Sequence, residues 1–272
     1  MGDVGAGVVE APTSGRPDGP TGLGTHDDAT LPVSVRSAML HLSAAQKGAG
    51  GAPAYSRFVN RPVGRLLAAL AFRAGLTADA VTAISALFTF GGIALLVAVR
   101  PSWPLGAAVA VCLLLGYALD SADGQLARLR GEAGPAGEWL DHVVDSAKVV
   151  ALHLALAVAL YRFVPADRGW LLVVPLGFAV VGVVHLFAMM LNEQLRRNHG
   201  RPERAHVTGR RPSVLRSLLV LPTDYGVLGL TFVLLGAPAL FMADYVLLFA
   251  ATTGYLVLAL IRWRREMKAL AA

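Results

Sequence analysis

Four aspartates, Asp120, Asp123, Asp141 and Asp145, fall inside what hydropathy alone would draw as two membrane helices. The first pair sits in DSADGQLAR, directly after the apolar run AAVAVCLLLGYAL, and the second in GEWLDHVVD, directly before another apolar run. An acid at the centre of a membrane helix costs about 2.5–3.5 kcal/mol and less near the ends, and four clustered acids also repel one another. Arg128 and Lys148 return two positive charges, and two divalent cations would supply the rest. Hard oxygen donors without His or Cys partners favour Mg²⁺, Mn²⁺ or Ca²⁺ over zinc. Two such ions about 3.5–4 Å apart suit a displacement at phosphorus.

On a helix, residues three, four and seven apart share a face. Asp120, Asp123, Gly124 and Ala127 therefore form one stripe, and Gly137, Asp141, Asp145 and Lys148 form another. The short connection at 129–136 makes the two helices antiparallel neighbours, so the stripes can face each other. The small residues Gly124, Ala127 and Gly137 have two readings. Taken alone they favour close helix packing; beside four acids they favour an open cleft for a bulky ligand.

The elements that must hold these stripes read as an all-α polytopic membrane protein. The chain has 272 residues, 55% of them hydrophobic and only 15% charged, with a mean hydropathy of +0.58; apolar stretches of bilayer-spanning length recur along it. Six transmembrane helices are expected at about 78–99, 103–129, 137–163, 169–196, 215–237 and 241–263. They are preceded by an N-terminal interfacial helix in RPVGRLLAALAFRAG, Arg61 to Gly75, whose apolar face has basic flanks. Thr77-Ala-Asp79 offers capping side chains for the first span. Residues 1–53 are rich in Gly, Pro, Ala and Ser and are expected to form a disordered cytosolic tail. Within that tail, 33–46 reads either as a short amphipathic helix or as plain tail. Residues 54–272 form the membrane domain.

With the amino terminus in the cytosol, twenty of the 24 Lys and Arg residues lie on the cytosolic side and three, Arg100, Arg162 and Arg168, on the other. That asymmetry places both termini and all four aspartates on the cytoplasmic face of the cell membrane. The net charge of +6 suits an anionic membrane face or phosphate-bearing ligands. Nucleic acid is not expected, because the arginines flank apolar helices instead of alternating with exposed aromatics. The single cysteine, Cys112, lies in an apolar run and reads as an inert thiol. The first residues lack an apolar h-region, so no secretory signal is expected. MGDVGA carries Ala6 where a myristoylation site wants Ser or Thr.

The pattern Asp120-x2-Asp123-Gly124-x2-Ala127-Arg128-x8-Gly137-x3-Asp141-x3-Asp145 resembles the signature of the CDP-alcohol phosphotransferases, also called CDP-alcohol phosphatidyltransferases. All eight signature residues stand at the family spacing, over 26 residues. The helical plan extends the resemblance to about 55–265. One departure lies in Leu76-Thr-Ala-Asp-Ala-Val-Thr82, where many members read Thr-Pro-Asn-x-Val-Thr. The resemblance implies attack by an acceptor hydroxyl on a CDP-linked alcohol, often CDP-diacylglycerol, with loss of CMP and formation of a phosphodiester in phospholipid biosynthesis. It implies two Mg²⁺ or Mn²⁺ ions held by Asp120, Asp123 and Asp141. Asp145 would be the general base that also touches the second metal, and Gly124, Ala127, Arg128 and Gly137 would line the CDP site. It also implies a homodimer.

Lys148, one turn beyond Asp145, either neutralises Asp141 or Asp145 or binds acceptor phosphate. Arg210, Arg211 and Arg216 read first as topology signals and second as phosphate ligands. These basic residues lean towards a phosphorylated polyol as acceptor. Asp224 and Tyr225 could close a cavity from the fifth span. His142, His153 and His185 lack metal-ligand spacing, and neither they nor Asn192 and Glu193 are assigned chemistry. The stretch HGRPERAH at 199–206 reads as a solvated loop. A membrane transporter or divalent-cation carrier is the alternative function. It explains intramembrane acids but not the fixed spacing of Gly124, Ala127, Arg128 and Gly137.

Overall fold

The computed structural model describes residues 52–201 and 214–270, together with Met39 and Leu42. Among these residues there are helices and no strands. A π-helical turn, Ser56–Asn60, leads into α1, Arg61–Arg73. The long helices follow: α2, Ala78–Ala98; α3, Trp103–Arg130; α4, Pro135–Phe163; and α5, Val173–Asn198, entered through a 3-10 segment, Ala166–Leu172. Then come two short helices, α6, Val214–Leu219, and α7, Tyr225–Thr231, and a final long one, α8, Pro238–Leu270. The arginines at 210 and 211, the side chain of Arg216, and most of 199–206 and of the segment 33–46 lie outside the described residues.

The helix ends follow local chemistry. The Thr77 side chain accepts from the Ala80 N–H at 3.2 Å and opens α2. Ser102 does the same for the Leu105 N–H at 3.3 Å, with Pro104 in the first turn of α3; side-chain oxygens at these positions satisfy donors that the helix leaves unpaired. Gly131 closes α3 at φ +68, a left-handed conformation that suits glycine. Pro135 starts α4 four residues later. α3 and α4 follow each other through this tight connection, but they do not pack extensively on one another; both lie against α2, and their aspartates face each other across a gap.

Five of the helices are long and apolar enough to cross a membrane: Ala78–Ala98, Trp103–Arg130, Pro135–Phe163, Ala166–Asn198 and Pro238–Leu270. The chain is an integral membrane protein. The expected span at 215–237 is not one continuous helix. It is broken into α6, a 3-10 turn at Leu221–Thr223, α7 and a 3-10 segment at Phe232–Gly236; the apolar part is the shorter Tyr225–Gly236. The cause is local. Pro222 has no N–H to continue α6, and the buried Asp224 carboxylate takes the Gly226 N–H at 3.0 Å and so starts a new helix. Its other oxygen accepts from the Ser56 N–H at 2.7 Å, pinning this break to the segment that leads into α1.

α3 is the centre of the bundle, packed on α1, α2, α7 and the Phe232–Gly236 turn, while α4 packs on α2 and α5, and α5 on α8. The main core joins Leu96, Val109, Leu113, Leu156, Phe232 and Tyr245. A second cluster joins α1, α2 and α3 through Ala68, Val81, Ala122 and Leu126, and Leu42, 2% exposed, is buried with them. This residue of the expected tail is therefore packed against the membrane domain.

Candidate functional site

α3 and α4 bring three of the four aspartates together. One carboxylate oxygen each from Asp120, Asp141 and Asp145 lie within 4.8 Å of one another, the one such group of acids among the described residues. The Lys148 ammonium closes the group: Nζ donates to Asp120 Oδ1 in a short contact, to Asp145 Oδ1 at 3.3 Å and to Ser85 Oγ at 3.3 Å. Lys148 is 5% exposed. It pairs with Asp120 and Asp145.

Asp123 stands apart from the trio. It is 5% exposed; its Oδ2 accepts the Thr82 hydroxyl at 2.6 Å and its Oδ1 the Gly124 N–H at 2.5 Å. A carboxylate offers about four lone-pair positions, so both oxygens keep capacity for a further ligand. The all-oxygen donor set fits a hard divalent cation at the trio, with Asp123 one turn away for a second.

The residues that hold this arrangement come from α2, where Thr82, Ser85 and Thr89 are all buried. Thr82 holds Asp123. Ser85 donates to the Gly116 carbonyl at 2.8 Å while accepting from Lys148. A Cβ on Gly116 would meet Thr89 Oγ1 and stand 3.1 Å from the Ser85 carbonyl oxygen, so Gly116 is what lets α2 and α3 approach closely. Sequence reasoning did not place Thr82, Ser85 and Thr89 in the site. The signal was present as a polar stripe at i, i+3 and i+7 on an otherwise apolar helix.

The signature glycines behave differently. A Cβ on Gly137 would meet nothing within 4 Å, and one on Gly124 only the Arg128 Nη1 at 3.5 Å. No neighbouring helix presses on either, so they border open space instead of a packing seam. Arg128 thus reaches back over the Gly124 face. Ala127 shares that stripe and is half-buried. Arg61, at the start of α1, is half-buried nearby, and its carbonyl accepts from Gln125 Nε2 at 3.3 Å; burial lowers its guanidinium from the usual arginine value, with Tyr117 opposing and Arg57 adding to the shift.

Ion pairs tie the same end of the bundle together. Arg197 Nη1 on α5 donates to Glu138 Oε1 at 2.9 Å, one turn before Asp141, and Arg196 pairs with Glu266 on α8. His142 lies 3.8 Å from an Asp141 oxygen and 3.7 Å from Glu138. His153 and His185 are away from the acids: His153 Nδ1 bonds the Tyr245 hydroxyl at 2.6 Å and stacks on Phe178, and His185 stacks on Trp263. Asp224 and Tyr225 do border a cavity, shared with His153 and His185.

The family model described as CDP-alcohol phosphatidyltransferase matches residues 75–263, which takes in α2 to most of α8 and every residue of the carboxylate site. A search of curated proteins gives no significant match.

Proposed function

We propose that this chain, which belongs to the CDP-alcohol phosphatidyltransferase family, transfers the phosphatidyl group of CDP-diacylglycerol, or the equivalent group of another CDP-alcohol, to the hydroxyl of an acceptor alcohol with release of CMP. Transfer from a CDP-alcohol, in phospholipid biosynthesis, is the family's activity. The observation that carries the finer reading is the convergence of Asp120, Asp141 and Asp145 from two helices at one end of the bundle, with the signature glycines left open beside them.

Asp120, Asp141 and Asp145 would hold one Mg²⁺ or Mn²⁺, with Asp123 contributing to a second. Such ions, when bound, neutralise a diphosphate and stabilise the departing CMP. The chain's own residues do the rest. Arg128 meets the nucleotide diphosphate over Gly124, while Gly124, Ala127 and Gly137 leave it room. Lys148, anchored by Ser85, fixes the positions of the Asp120 and Asp145 carboxylates. Asp145, half-exposed at the cluster's edge, takes the acceptor's proton as the hydroxyl oxygen forms its bond to phosphorus.

The proposal includes two divalent cations, a homodimer, and a site facing the cytoplasm from the plasma membrane, with both termini on that side. The arginine asymmetry supports the orientation, and the basic ends of α5 and α8 gather with the acids. Asp145→Asn, assayed for metal-dependent CMP release, is expected to lose about 10²–10⁴-fold in turnover with its melting profile retained. Full activity in that variant removes Asp145 from the base role. For a divalent-cation carrier, the expected result is ion flux in liposomes with no CMP release from any acceptor.

A further inference from the structure

A cavity of about 370 Å³ opens among α3, α4, α5, α7 and α8, within the range of small-molecule sites, about 300–1,000 Å³. Tyr117, one turn before Asp120, and Val149, next to Lys148, form one wall. From there it runs along α4 and α5 towards the bundle interior, past Leu152, Phe178, Leu186 and Leu228. The walls are mostly apolar, and no Lys or Arg is among the described residues that line it. Asp224 is the one acid among the described residues that line it.

Most polar atoms of the lining are engaged elsewhere. His153 Nδ1 bonds Tyr245, Thr252 Oγ1 donates to the Pro222 carbonyl at 3.3 Å, and the Asp224 oxygens take the Ser56 and Gly226 N–H groups. Tyr225 is an exception. Its hydroxyl is buried and has no hydrogen-bond partner among the described residues. Its ring meets Tyr117 edge-on at 5.3 Å between centroids, and its phenol is within electrostatic reach of Asp120 and Asp145. The cavity therefore offers the Tyr225 hydroxyl beside Tyr117, and beyond it a mostly apolar body in which His185 and Tyr255 are the other polar side chains without a hydrogen bond among the described residues. A buried polar group without a partner is costly, and a ligand hydroxyl would satisfy it.

We infer that this cavity holds the acceptor, that the acceptor is an uncharged alcohol with an apolar body, and that the Tyr225 hydroxyl binds its reacting oxygen. This rests on the transferase reading. Tyr225 donates to a lone pair of the acceptor oxygen, which leaves the acceptor's own proton for Asp145. The acceptor oxygen bonds to the phosphorus that carries the donor's alcohol. The bond from that phosphorus to the CMP oxygen breaks, CMP leaves with the electron pair, and the proton passes through Asp145 to water. Lys148, one of the basic residues behind the expectation of a phosphorylated polyol, is engaged by Asp120, Asp145 and Ser85.

The test uses the purified full chain in mixed micelles with Mn²⁺ and CDP-diacylglycerol. It compares monooleoylglycerol and farnesol with glycerol 3-phosphate, inositol 1-phosphate and inositol. CMP release and product mass are measured for the native chain, Tyr225→Phe and Met189→Trp, each with its melting temperature. The expected result is turnover at least about tenfold faster with an apolar alcohol than with either phosphorylated polyol. Tyr225→Phe is expected to fall about tenfold in kcat, the value of one lost hydrogen bond in the transition state, with its melting temperature kept. Met189→Trp, which narrows the cavity wall, is expected to raise KM for the acceptor and leave KM for the donor unchanged. Preference for a phosphorylated polyol, or for inositol, overturns the inference. So does a Met189→Trp effect confined to the donor's KM, which would make this a site for donor acyl chains. Absence of CMP release with every acceptor removes the transferase reading itself, and the inference with it.

Discussion

Asp123 shows how far one residue's role depends on its partners. Spacing puts it on the face of Asp120, yet its carboxylate is turned to Thr82 and to the Gly124 N–H. A buried carboxylate costs little only while it is hydrogen-bonded. Thr82→Val keeps the volume and removes the hydroxyl, so we expect a loss of about 1–3 kcal/mol in stability, read in a denaturant or thermal melt. A melt unchanged from the native chain would mean that Asp123 finds another donor. Tyr225 presents the opposite case. Its hydroxyl is buried without a partner, so its removal should cost no stability while it lowers turnover. That split separates a ligand-binding group from a structural one.

At the scale of elements, two kinds of glycine hold the site. Gly116 is pressed by α2, and a Cβ there would meet Thr89 and the Ser85 carbonyl. Gly116→Ala should force α2 and α3 apart and cost about 1–3 kcal/mol, and through Ser85 it should disturb Lys148. Gly137 borders open space. Gly137→Ala should melt like the native chain but raise KM for the CDP-alcohol, because the added methyl projects into the region the nucleotide would occupy. Comparing the two melts checks the assignment: equal destabilisation would show that Gly137 is a packing residue after all. The break between α6 and α7 is also an element-scale device. Pro222 and Asp224 end one helix and start the next, which puts Tyr225 at a helix start on the cavity wall in place of the middle of a continuous span.

For the whole molecule, the acids set a stability problem that cations relieve. Three carboxylates from α3 and α4 cluster together, and one lysine pairs with two of them. Any ion that binds the folded chain and not the unfolded one stabilises it, by about 2.7 kcal/mol at a hundredfold excess over Kd. Mn²⁺ or Mg²⁺ should therefore raise the melting temperature of the native chain, and EDTA should reverse the effect. In Asp141→Asn the rise should shrink or vanish, while the melt without metal should be equal or higher because one repelling charge is gone. A metal-induced rise of native size in that variant would place the ion elsewhere. The basic ends of α5 and α8, tied by Arg197–Glu138 and Arg196–Glu266, gather at this same end of the bundle, as expected if one membrane face carries both the positive charge and the chemistry.

Much of this was legible in the sequence because it depends on what lies along one helix. The period of 3.6 residues puts Asp120 with Gly124 and Asp141 with Asp145 and Lys148, whatever surrounds them. Hydropathy marks the long apolar helices, and the short connection at 129–136 marks the turn from α3 into α4. The broken span at 215–237 was hidden because its apolar composition outweighs one proline and one aspartate in any hydropathy window. Other features required the tertiary structure. It decided that Lys148 pairs with Asp120 and Asp145, that Asp123 belongs to Thr82, that Gly116 packs while Gly137 stays open, and that an apolar cavity ends at the free hydroxyl of Tyr225. These depend on the rotation and depth of one helix against another. Contacts such as Ser85 with Gly116, far apart in the chain, fix those quantities, and no local period encodes them.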